Sequence, residues 1–202
     1  MRSARRSKRT NDPQGVRSRL LDAAAALFQS RGYGGTSIAD IASEAGVTSG
    51  ALHHHYPTKK DLTLGVIRDR VAQTVDSTWI QPVADAPSTY AGVKRVMDTI
   101  YSDLAERDGV RGCQLNNLTL ELSLVDDDFR NELAGIFDAW KSALARKLYE
   151  DRAVGEAPKT IKPDITAGFI VASFSGAMTL AKAQQSAAPL RGCRDEILRA
   201  LK

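Results

Sequence analysis

Three histidines in a row, His53-His54-His55, form the densest group of chemically capable side chains in this sequence. Metal binding would require their imidazoles to converge on one ion. On a helix, successive side chains point about 100° apart, so three neighbours cannot close on a shared centre. With Thr48, Ser49, Gly50 and Ala51 just ahead of them, they can instead present a small, polar surface. Hydroxyl and imidazole groups bond to base edges and phosphates, and small side chains admit a helix to a DNA major groove. Nothing else in the chain suggests catalysis. There is no Ser-His-Asp order with supporting motifs, no glycine-rich phosphate loop and no HExxH. No enzymatic activity, metal or cofactor is therefore expected. Cys113 is either a small buried apolar residue or a redox or electrophile sensor activated by the nearby Arg111. Glu121 is a lone acid near apolar positions. It orients a ligand, bonds to Asn116 or Asn117, or lies on a solvated face.

The polar surface needs elements to hold it. The stretch from Thr36 to Lys59 reads TSIADIASEAGVTSGALHHHYPTK. Thr36 is an expected N-cap, since a hydroxyl there satisfies an orphan N–H of the helix it opens. Ile38, Ile41, Ala42 and Ala45 follow at helical spacing. Gly46 stops that helix and Val47 fills the corner. Thr48 caps a second helix over 49–55, with Leu52 and Tyr56 turned to the same core. Pro57 ends it, because the residue before proline is pushed out of the helical region. Thr58 and Asp61 form a capping-box variant for the next helix. Two helices joined by a glycine turn are a helix-turn-helix, or by periodicity alone an ordinary helical hairpin within a bundle.

The residues themselves carry a more specific signal. From Val16 to Leu62, the pieces LLDAAAALFQSRGYGGTSIADIASEAGV and TSGALHHHYPTKKDL resemble the N-terminal domain of the TetR/AcrR family of transcription regulators, without a gap. The resemblance implies DNA contacts from Thr36, Ser37, Thr48, Ser49, Gly50, Ala51, His53, His54, Tyr56 and Lys59. It also implies a double-stranded operator, a small-molecule effector and a homodimer built through the last two helices. One position departs from the pattern: His53 stands where such families usually carry tyrosine. A phenol's phosphate contact would here come from an imidazole, which protonation at low pH would strengthen.

The rest of the chain sets the frame. The 202 residues are enough for a small domain and a larger one. Apolar periodicity is helical throughout, so the fold class is all-α, with about nine helices. Residues 1–70 hold 12 Lys/Arg against 6 Asp/Glu, and residues 71–202 hold 16 against 18. The basic end is the one with the reading helix, and a positive face attracts phosphates. Residues 1–12 form a basic arm, either lying along DNA or merely solubilising. The DNA-binding domain is placed at 13–62, a connecting helix at 63–80, and a ligand-binding and dimerisation domain at 81–202. Helix four is expected to end at Trp79, before a proline-containing loop. Lys59 and Lys60 in its first turn are phosphate contacts or a solvated pair. Two cysteines 80 positions apart argue against a disulfide framework and for a reducing cytoplasm. The basic start lacks an apolar stretch behind it, so no signal peptide is expected.

Ile165 to Ala181 contains no charge. It reads as a buried soluble helix rather than a membrane span, because polar residues interrupt it and charges bound it closely. Gly168, Ala172 and Gly176 recur there every four residues, which suits close approach of another helix in this chain or in a second copy. The expected ligand-binding set is Tyr90, Met97, Tyr101, Cys113, Leu118, Glu121, Phe137, Trp140 and Phe169, though its aromatics suit a plain core equally. The resulting expectation is a ligand-released repressor. A transcriptional activator, a cysteine-based sensor, and a helical ligand-binding protein or enzyme without a DNA role are the alternatives.

Overall fold

The computed structural model describes residues 13–202. Among them run nine helices and no strand: α1 (Pro13–Arg31), α2 (Ile38–Glu44), α3 (Ser49–His55), α4 (59–84), α5 (Thr89–Glu106), α6 (Gln114–Leu122), α7 (Asp127–Val154), α8 (Pro163–Gln184) and α9 (Ala188–Ala200). The basic arm at 1–12 lies outside the described residues.

α1 buries Leu20, Leu21, Ala24, Leu27 and Phe28 and ends at Gly32, whose φ of 77° is the left-handed conformation expected of a glycine stop. The cap of α2 is Ser37 rather than Thr36. A capping box needs an acid three residues on, and only Ser37 has one. Its hydroxyl accepts the Asp40 N–H at 3.1 Å while the Asp40 carboxylate accepts the Ser37 N–H at 2.9 Å. Thr36 is buried, and its hydroxyl donates to the Gly32 carbonyl at 2.8 Å. Gly46 (φ 65°) turns the chain, and Thr48 caps α3 by accepting the Ala51 N–H. Leu52 and Tyr56 point inward. The box of Thr58 and Asp61 opens α4. Gly65 lets α4 lie against Leu21 and the Tyr56 ring, since a Cβ there would meet them at 3.0 and 3.2 Å.

α4 is longer than expected and runs through Pro82 to Ala84. Two wide π-helical turns, Ile67–Val71 and Asp76–Ile80, interrupt its α pattern. Pro82 follows the second, where the hydrogen-bond ladder is already shifted and a missing N–H is tolerated.

The larger domain is built around α7 and α8. Trp79, Trp140 and Phe174 meet there with ring centroids 4.8–5.8 Å apart. Asp151 is buried on α7; it accepts the Thr89 N–H at the start of α5 at 2.5 Å and lies 3.3 Å from the Lys147 ammonium. Removing it strands both partners in a poorly solvated place. Asp151→Ala should lower unfolding stability by about 3–5 kcal/mol, readable as a reduced urea midpoint.

α8 is buried on one side only. Ala167, Ile170, Val171, Phe174, Ala177, Met178 and Ala181 face the core. The opposite side leaves Ile165, Phe169 and Leu180 exposed, with the Gly168–Ala172–Gly176 stripe between them. A Cβ at Gly168 or Gly176 would meet nothing within 4 Å, so no helix of the same chain covers that stripe. By length and hydropathy α8 is also the one helix among the described residues able to cross a membrane. The expectation of a buried helix therefore holds for one face of α8.

Candidate nucleic-acid interface and effector cavity

The smaller domain exposes one coherent polar face. Ser49, Gly50, His53 and His54 are exposed on α3, with Ala51 half-covered and Thr48 open at its head. A Cβ at Gly50 would meet nothing within 4 Å, so an approaching surface has free access. His53 Nδ1 lies 3.3 Å from the Pro57 carbonyl oxygen. That oxygen only accepts, so the contact is a hydrogen bond when Nδ1 carries the proton, and Nε2 of such a neutral ring is an acceptor. A phosphate at that nitrogen requires the doubly protonated ring.

Three expected DNA contacts stand elsewhere. Thr36 and Tyr56 are buried, Thr36 because the turn binds its hydroxyl and Tyr56 because it fills the gap left by Gly65. Lys59 is half-buried: its ammonium donates to the Tyr33 carbonyl at 2.6 Å and sits 3.8 Å from the Tyr33 ring centroid. Desolvation lowers its pKa, against the pull of Glu121. Lys60 turns to Asp126 and Asp128, both at 2.7 Å, and their hydrogen bonds raise its pKa. Ser37 remains exposed, with its hydroxyl engaged by Asp40 at 2.6 Å. Tyr33 packs between Phe28 of α1 and Phe129 of α7, at 5.7 and 5.9 Å.

In the larger domain a cavity of about 330 Å³ opens beside the tryptophan cluster. Its walls are Trp79, Ile100, Cys113, Trp140, Phe174 and Met178; Gln29, Asp103, Arg107 and Gln114 supply polar groups. The Trp140 indole N–H is buried without a hydrogen-bond partner. Of the expected ligand set, only Cys113 and Trp140 line this space. Met97 and Leu118 are core residues. Tyr90 and Tyr101 lie under Lys202 and Arg191, at 5.5 and 5.4 Å. Phe137 borders a shallow groove beside Gly176, and Phe169 is exposed on α8. Glu121 does not line this space and bonds to neither Asn116 nor Asn117: its carboxylate accepts the N–H groups of Tyr33 and Gly34 at 2.8 and 2.6 Å. Heptad-like spacing identified inward faces but not which of them meets a void. Trp79, Phe174 and Met178 were missed for that reason.

A larger recess of about 780 Å³, between the end of α1 and the α5–α6 loop, is lined by Arg31, Asp108, Arg111, Glu121 and Lys182 among others. Ligand sites are mostly apolar with few polar groups, which favours the smaller cavity. Cys113 is in that cavity, but burial pushes its thiol pKa up, and Arg111 is not among the causes. Of the two sequence-based readings of Cys113, this favours the small buried apolar residue over the arginine-activated thiolate.

An open helix-turn-helix face at one end and an apolar cavity at the other define a ligand-responsive, DNA-binding transcription regulator. The chain belongs to the TetR family: residues 20–66 match "Bacterial regulatory proteins, tetR family", and residues 89–196 match "Transcriptional regulator LmrA/YxaF-like, C-terminal domain". The HTH-type transcriptional repressor DhaR of Mycobacterium sp. strain GP1 is 26% identical, over 87% of this chain and 86% of that protein. An uncharacterised HTH-type regulator from the lacX 3′ region of Lactococcus lactis is 31% identical over 84% and 85%. The crystal structure of a TetR regulatory protein from Rhodobacter sphaeroides superposes with a TM-score of 0.83 at 25% identity, covering 93% of this chain and 99% of the other. The family consists of transcription regulators that bind operators and effectors and act as dimers.

Proposed function

We propose that this chain is a repressor that binds a palindromic operator as a homodimer and leaves it when a small apolar molecule enters the cavity beside Trp140. The observation carrying this reading is the unobstructed α3 face of Ser49, Gly50, Ala51, His53 and His54. DhaR, named a repressor, favours repression over activation. The reading places the protein in the cytoplasm, with its DNA.

One reading helix covers few base pairs, so specificity calls for two half-sites and a two-fold pair. The uncovered α8 stripe supplies the surface for that pairing. Leu120, exposed on α6 and sharing a groove with Gly176, extends the apolar patch, whereas the outer face of α9 carries Arg191, Asp195, Glu196 and Arg199. The dimer is accordingly proposed to centre on α8, with α9 at its charged margin.

A cavity of this size suits a small effector. Aromatic and thioether walls favour an apolar body, and the unpaired Trp140 N–H favours one hydrogen-bond acceptor on it. Binding of such a molecule shifts the equilibrium toward a conformation with mis-spaced reading heads, in proportion to its differential affinity for the two states. The raised pKa of Cys113 counts against a thiol-based trigger.

The test is to capture genomic fragments on the purified protein, sequence them, and titrate a recovered site at several salt concentrations. Log affinity should fall linearly with log salt, with a slope of about −0.9 for each phosphate neutralised. Absent or salt-insensitive binding overturns the reading.

A further inference from the structure

Resting on that reading, we infer that Glu121 is a positioning residue for DNA binding: its carboxylate, seated in the backbone amides of the α1–α2 turn, holds the reading head at a fixed attitude to α6. The turn is built for an anion. Tyr33 and Gly34 aim consecutive N–H groups at the two carboxylate oxygens, at 2.8 and 2.6 Å, in the manner of an amide nest. Gly32 is left-handed, and a Cβ there would lie 3.2 Å from a Glu121 oxygen; one on Gly34 would lie 3.4 Å away. The other side of the same residue is held too, because Lys59 of α4 donates to the Tyr33 carbonyl. Tyr33 is thus gripped through its N–H by α6 and through its C=O by α4.

The opposite end of α6 meets the cavity. Cys113, its N-cap, and Gln114, its first residue, both line that space. That same end is tied to α1: Gln114 donates to the Ala25 carbonyl at 3.0 Å, and Gln29 of α1 donates to the Gly112 carbonyl at 2.8 Å. A nine-residue helix moves as a rod, so a displacement at Cys113 arrives at Glu121 and, through its two hydrogen bonds, at the turn that opens α2.

Full-length protein and a captured operator fragment test this without an identified effector. Glu121→Gln keeps the shape but loses the charge and one acceptor. Amide exchange at Tyr33 and Gly34 should become about tenfold faster, with the thermal midpoint unchanged. Cys113→Phe fills part of the cavity and stands in for ligand. It should weaken operator binding about tenfold in the wild-type background and less than about twofold in the Glu121→Gln background. Unchanged exchange in Glu121→Gln, or equal effects of Cys113→Phe in both backgrounds, overturns the assignment. If the wild-type chain binds no DNA, the repressor reading fails, while the exchange measurement still decides whether Glu121 holds the turn.

Discussion

Ser49→Glu should abolish operator binding while leaving the dimer folded. Ser49 is the first residue of α3 and is exposed. A carboxylate at that position complements the helix's positive N-terminus, so the helix itself loses nothing. On the proposed DNA face the same charge meets phosphates and base acceptors and finds no donor. Each mis-made contact of this kind costs about 1–3 kcal/mol, and a two-fold assembly suffers it twice. Operator affinity should fall by about 100-fold or more in a gel shift, with unchanged helical circular dichroism and sedimentation. Retained affinity would show that α3 does not face the DNA.

An equally large effect is expected from the far end of the molecule. Ala172→Glu places a charge in the middle of the uncovered α8 stripe, between Gly168 and Gly176. In a monomer the new side chain points to solvent and costs almost nothing. In the proposed dimer two carboxylates come together in a desolvated interface, where unpaired charge is strongly unfavourable. The variant should sediment as a folded monomer and lose operator affinity by roughly 100-fold, because single half-sites replace a bivalent contact. A variant that remained dimeric would move the interface away from α8.

Most of the local structure was legible from local chemistry. Gly46, Thr48, Pro57 and the Thr58–Asp61 box each act within four residues of themselves, and each does what its type dictates. The Thr36–Ser37 question was decidable at the same range, since only Ser37 has an acid three residues on. The π turns that carry α4 through Pro82 were not legible, because no residue pattern announces a shifted ladder. The cavity was less legible still. Trp140 and Phe137 lie three residues apart on α7, yet one lines the void and the other an outer groove.

From the sequence alone come the all-helical class, the reading helix, the family and the small-residue stripe. The class and the stripe rest on periodicity, caps and residue type, which act over a few positions; the reading helix and the family rest on a resemblance running from Val16 to Leu62. Tertiary structure alone decided that the stripe meets no helix of its own chain, that Lys59 serves Tyr33, and that Glu121 reaches across 88 positions to a backbone turn. Such partners are set by how whole helices pack, and a charged side chain shows its occupant only once the chain has brought the two together.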